Sequence, residues 1–171
     1  MPRVEPLPLD GIDPSLASAI EQAKAKKVLS STLPVQIWAH RPDTAMPWVA
    51  TLDSFYSDSL LGERTKELVR LKIASITRCD TCQLARKSDT VSEHDIACLI
   101  DDSDPFSPDV QAALGFAELF ASDYTAIDDA IFAELRAHFS TEAIVELNLF
   151  CALMLAGGRL TYVLNGYENE S

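Results

Sequence analysis

Glycine, basic charge and strand patterning are all in short supply in this sequence. Six glycines in 171 residues are too few for the frequent turns of an all-β protein. Lysine and arginine number 14 against 26 aspartates and glutamates, a formal charge of −12. Phosphate recognition needs clustered cations, so no nucleic-acid partner is expected. The same acid excess disfavours an anionic membrane surface. The leading run Met-Pro-Arg-Val-Glu-Pro-Leu-Pro carries no apolar core of a secretory signal. The longest apolar stretch, 147–156, is interrupted by Asn148 and is too short to span a bilayer. A cytoplasmic protein is expected, in which four cysteines are redox-active or metal-binding rather than a disulfide framework. No segment alternates with period two, and there is no low-complexity tract or short repeat.

What is present is helical patterning. Residues 1–12 are proline-rich and read as an extended lead-in. Asp13-Pro14 is a helix start, with aspartate at the N-cap and proline at the first helical position. That helix is expected to run to about Val28, burying Leu16, Ile20 and Ala23. A short helix at 33–38 is expected to close at Arg41-Pro42. An amphipathic one follows over 45–59, with Trp48, Leu52, Phe55 and Tyr56 at helical spacing. Residues 64–77 are apolar on more than one face, which predicts a deeply buried helix. Residues 79–87 should continue it or form a further helix. Ser92-Glu-His-Asp95 has the form of a capping box, and 101–108 reads as a loop. Helices are expected from Pro108 to Ala121 and from Asp128 to Phe139. A last long one, capped by Ser140-Thr-Glu142, has Ile144, Leu147, Leu149, Phe150, Leu153, Met154 and Leu160 as core. The fold class is all-α, one domain over 1–171, with about seven to nine helices.

The stretch that carries chemistry is 63–86, which delivers Cys79-x-x-Cys82 after a helical run containing Glu67. Two cysteines three apart share one side of a helix, and a disulfide between them closes a very small, easily reduced ring. At a helix start the free N–H groups lower the thiolate pKa, and Arg78, Arg86 and Lys87 act in the same direction. Two further readings stay open. The cysteines could be inert small core residues, or, with His94 and Cys98, a zinc site of three thiolates and one imidazole. For His94 a solvated place in a helix's first turn, and for Cys98 a core place, are the simpler expectations. Glu67, taken alone, reads as a surface carboxylate pairing with Arg64 or Arg70. His40 and His138 read as structural.

Arg64-Thr-Lys-Glu67-Leu-Val-Arg-Leu, then Cys79-x-x-Cys82, resembles the signature of the carboxymuconolactone decarboxylase and alkylhydroperoxidase D-like superfamily. Phe139-Ser-Thr-Glu-Ala-Ile-Val-Glu-Leu followed by Gly158-Arg159-Leu is similar to its closing helix, so the likeness covers about 40–165. The resemblance implies an all-helical fold assembled as trimers or hexamers. It implies reduction of a peroxide or organic hydroperoxide, with a protein dithiol as reductant, no cofactor and no metal. Cys82 would be the thiol oxidised to a sulfenic acid, Cys79 the resolving thiol and Glu67 the start of the proton relay. The family's histidine four residues after the second cysteine is Arg86 here, and Thr81 stands where alkylhydroperoxidase D has another. A guanidinium stabilises a thiolate but cannot shuttle a proton near neutral pH. Arg86 is therefore expected as an electrostatic stabiliser, or as a partner locking Glu67. A scaffold that kept the thiols but lost turnover, acting in redox sensing, is the second expectation. Lactone chemistry of the decarboxylase branch is the third.

Overall fold

The computed structural model describes residues 1–101 and 106–167. Nine α-helices are present among them and no strand: α1 (Pro14–Ala25), α2 (Leu33–Trp38), α3 (Pro42–Ser57), α4 (Glu63–Thr77), α5 (Asp80–Leu84), α6 (Glu93–Asp101), α7 (Pro108–Ser122), α8 (Asp129–His138) and α9 (Thr141–Leu164). Short 3-10 turns stand at Leu9–Gly11 and Tyr124–Ala126.

Most starts follow the local chemistry. The Asp13 carboxylate accepts from the N–H groups of Ser15 and Leu16, and Asp128 does the same for Ala130 and Ile131. Ser140 caps α9 through the Ala143 N–H. In the capping box before α6, Asp95 accepts from the Ser92 N–H at 2.8 Å and the Ser92 hydroxyl accepts from the Asp95 N–H at 3.2 Å. Two expected boundaries shift. Pro42 opens α3 rather than closing α2, because its missing N–H is no loss at the first helical position. The first helix stops at Ala25, and Lys27 turns the chain with φ 60°. The expected loop at 101–108 falls largely on 102–105, outside the described residues.

At the centre is α4, which packs against α7 and α9. Nine of its residues are buried, including Lys66, Glu67 and Arg70. Around it lies one apolar cluster with Leu68, Leu71, Phe116, Leu147 and Phe150. A second cluster joins Leu16, Ile20, Val28, Val35 and Val49 from the first three helices. At 24 residues α9 is long and apolar enough to cross a membrane by length and composition, which the sequence reading of 147–156 underestimated. Its apolarity has a core use, since Ile144, Leu147, Phe150, Cys151 and Leu153 are buried among the other helices. Leu149 and Leu160, expected in that core, are instead exposed at 58% and 39%.

Candidate functional site

The site begins where α4 ends. Arg78 adopts the left-handed conformation, φ 54° and ψ 39°, and reverses the chain. This places Cys79, fully buried, at the N-cap of α5. Cys79 and Cys82 are joined by a disulfide, with Cα atoms 5.2 Å apart. The other two cysteines, Cys98 and Cys151, are free and buried, and burial pushes the Cys151 thiol up to about 12.

The helix expected over 79–87 is cut to Asp80–Leu84, and α4 supplies the reason. Arg70 and Glu67 form a bidentate ion pair, Nε to Oε2 and Nη2 to Oε1, both at 2.7 Å and both side chains nearly inaccessible. Two more guanidinium hydrogens go to the carbonyls of Cys82 and, at 2.7 Å, Ala85. Glu67 Oε1 also accepts from the Lys87 backbone N–H at 3.0 Å. Ala85 is thereby held extended, with ψ 137°. A buried pair of charges is tolerated only when its other hydrogen-bonding positions are filled, and here the chain after the disulfide fills them. The pairing of Glu67 with Arg70 matches the plain reading of the sequence, but it is buried and not on the surface. Glu67 Oε1 takes two hydrogen bonds and Oε2 one, so the carboxylate that the resemblance makes the start of a relay is held here in a buried ion pair.

Arg86 faces away from this arrangement. Its guanidinium meets the exposed Glu93, Nε to Oε1 at 2.9 Å, and caps the carbonyls of Gln83 and Leu84. It neither locks Glu67 nor lines the cavity beside Cys82. The four side chains of the zinc reading are not gathered either. Two are in the disulfide, while His94 and Cys98 meet one another, Nε2 to Sγ 3.8 Å. Among the described residues, no three metal-ligating side chains cluster.

A cavity of about 100 Å³ opens beside the disulfide. Cys82, Arg70, Thr77 and Lys87 line it together with Val28, Val35, Trp38, Trp48, Leu52 and Tyr56. Leu153, Met154, Gly157 and Gly158 of α9 complete it. Gly158 is required there, since a Cβ would lie 2.5 Å from Thr77 Oγ1. Trp38 and Trp48 meet edge to face at 5.8 Å. Neither the Trp38 indole N–H nor the Tyr56 hydroxyl, both buried, has a hydrogen-bond partner among the described residues. Unpaired buried donors are uncommon in folded proteins and carry a desolvation cost.

Lys87 and Tyr56 were not singled out by spacing. The Lys87 ammonium donates to the carbonyls of Lys27, at 2.8 Å, and Val28, and lies 5.5 Å from the Tyr56 ring centre. Lys66 sits 5.1 Å from the same ring and donates to the Phe55 carbonyl. Withdrawal from water lowers Lys87 to about 7, helped by the Arg70 charge and opposed by Glu67. Burial raises the Tyr56 phenol and lowers Lys66. In the sequence Lys87 is one of three cations around the cysteine pair. Only the break of the helix at Leu84 turns it inward while Arg86 turns out.

No family model matches the chain, and no curated protein does. Solved structures do. The debrominase Bmp8 in its apo form aligns over 98% of this chain and 92% of its own, with 17% identity and a TM-score of 0.81. A cysteine-to-alanine variant of that debrominase, in complex with 2,3,4-tribromopyrrole, aligns with a TM-score of 0.83, 16% identity and the same coverage. An alkylhydroperoxidase core, a peroxidase-related protein from Ralstonia eutropha JMP134, covers 99% of this chain and 93% of its own at 18% identity and TM-score 0.79. At these identities the likeness establishes the fold, which is the all-helical alkylhydroperoxidase D-like fold.

Proposed function

We propose that the protein is a thiol-dependent oxidoreductase that reduces an organic hydroperoxide through Cys79 and Cys82. The observation that carries this reading is the asymmetry of the pair: Cys82 lines the apolar cavity, whereas Cys79 is fully buried beneath it. An attacking thiol must meet substrate, and a resolving thiol need only meet its neighbour. The Cys82 thiolate attacks the outer peroxide oxygen, becomes a sulfenic acid and releases an alcohol once its alkoxide gains a proton. Cys79 then attacks the Cys82 sulfur, water leaves, and the disulfide closes. A protein dithiol reopens it by exchange. The apolar and aromatic walls favour an apolar hydroperoxide over hydrogen peroxide. Glu67 and Arg70 act in this scheme by fixing the turn that carries Cys82.

Two settings belong to the proposal. A cytoplasmic location fits a chain whose other two cysteines remain free thiols. Self-association, as the trimer or hexamer that the resemblance implies, is supported by an outward apolar row on α9: Val145, Leu149, Leu160 and Val163. Light scattering on wild type and Leu149→Glu tests it; a monomeric wild type would remove the assembly, and an oligomer unchanged by Leu149→Glu would remove this row as its contact.

A second reading is favoured by the aromatic cavity and by the debrominase of the same fold. The same two thiols would replace an aromatic C–Br bond with C–H, leaving bromide, a proton and the disulfide. Consumption of cumene hydroperoxide and bromide release from 2,3,4-tribromopyrrole, each with dithiothreitol, decide between them in wild type, Cys82→Ser and Arg86→His. Hydroperoxide turnover that needs Cys82 supports the first reading, and Cys82-dependent bromide release alone replaces it with the second. Turnover only in Arg86→His, or in none, leaves a helical scaffold that has lost catalysis.

A further inference from the structure

We propose that Lys87, not Glu67 or Arg86, is the proton carrier of the dithiol, taking the proton from the Cys82 thiol and returning it to the leaving oxygen. The geometry rests on the shared cavity, which Lys87 and Cys82 line together. The two carbonyls of Lys27 and Val28 each take one N–H of Lys87. An amine in that cradle keeps one position on nitrogen, which carries either a lone pair or a third proton. That is what an acid–base group requires.

The charged and titratable groups around it are accounted for. From α4, Arg70 repels a Lys87 cation while its own charge is matched by Glu67. Lys66 and Lys87 share the Tyr56 ring from α3, and the raised phenol of Tyr56 stays neutral. Lys87 is consequently a weak ammonium near neutral pH, able to give up its proton and to regain it.

The inference rests on the hydroperoxide reading for its second half only. In balance, the Cys82 thiol gives its proton to the Lys87 amine, and the thiolate breaks the O–O bond to form the S–O bond of the sulfenic acid. The departing alkoxide takes the proton back from Lys87 as an alcohol. The oxidant is the organic hydroperoxide, reduced by two electrons from Cys82.

The test compares reduced wild type, Lys87→Met and Lys87→Arg in two measurements across pH 5–10. One is the rate of Cys82 alkylation by iodoacetamide, read by mass spectrometry; the other is cumene hydroperoxide turnover with dithiothreitol. In wild type, alkylation should rise at lower pH than an ordinary cysteine, and in Lys87→Met that rise should move up toward about 8.5. Turnover near pH 7 should fall roughly 100-fold in Lys87→Met, the usual loss on removing one acid–base group. Lys87→Arg keeps the charge but cannot cycle a proton, so it should restore alkylation and not turnover. Alkylation unchanged in Lys87→Met would overturn the proposal, as would recovery of both rates in Lys87→Arg. Lys87-dependent alkylation without turnover in wild type would retain the thiol–amine pairing and refute the hydroperoxide reading instead.

Discussion

Glu67 and Arg70 on α4 are paired with one another and with the chain after the disulfide, whereas two donors on α2 and α3 have no partner among the described residues. Glu67 accepts three hydrogen bonds, and Arg70 divides its donors between that carboxylate and two carbonyls of the chain carrying the disulfide. The Trp38 indole N–H and the Tyr56 hydroxyl, by contrast, are buried with no hydrogen-bond partner among the described residues. A saturated network holds geometry, whereas an unmade buried hydrogen bond costs stability. The difference separates a clamp that is fully satisfied from neighbouring donors that are not.

The comparison breaks most severely at Glu67. Glu67→Ala leaves the Arg70 guanidinium buried without its counter-charge, which should lower folding free energy by about 3–5 kcal/mol in denaturant unfolding. A change no larger than that of a surface substitution would show the network is not structural. Gly158→Ala tests the close approach of α9 to α4, where the added methyl meets Thr77. Overpacking of this kind costs about 1–3 kcal/mol, and a matching fall in thermal midpoint is expected.

Lys87 gives a pH signature. Its folded value is lowered from the ordinary 10.5 to about 7, so between those limits the unfolded chain binds the extra proton. Stability therefore rises with pH across that window and is weakest below it, where the buried amine must charge. The stability of wild type relative to Lys87→Met should move in favour of wild type from about pH 7 to about pH 10; a flat difference would mean that Lys87 keeps its proton.

Trp38→Phe removes an unpaired donor together with part of the Trp38–Trp48 contact. The relieved desolvation cost and the lost packing oppose one another, so the thermal midpoint should fall less than for Gly158→Ala. An equal or larger fall would show that packing outweighs the unmade hydrogen bond. Smallest of all, Glu93→Ala should leave both the thermal midpoint and cysteine reactivity where they are. The Arg86–Glu93 pair lies in water at the rim, where ion pairs contribute little.

Much of this protein could be read locally. Capping and periodicity located α1, α2, α4, α7, α8 and α9 to within a few residues, because each signal lies inside the segment it starts or buries. The cysteine pair was legible through its spacing, whereas Glu67, taken alone, reads as a surface carboxylate and is in fact buried. Orientation was not. Leu149 and Leu160 carry the same apolar signal as Leu147 and Leu153, yet only the latter two face the bundle. Nothing in Arg86-Lys87 tells which cation turns toward Cys82. That choice depends on where the chain leaves the helix, and Glu67 and Arg70 impose it from fifteen or more residues away.

The sequence by itself determined an all-helical chain, its helix starts and a dithiol carried after a buried helix, since these depend on neighbours within a turn or two. Tertiary structure alone decided that Glu67 and Arg70 form a buried clamp and that Lys87 takes the inward position. It also decided that the Trp38 and Tyr56 donors are buried without a hydrogen-bond partner among the described residues. Burial, and with it the strength of a charge or the cost of an unmade hydrogen bond, belongs to the packed assembly of segments and not to any one of them.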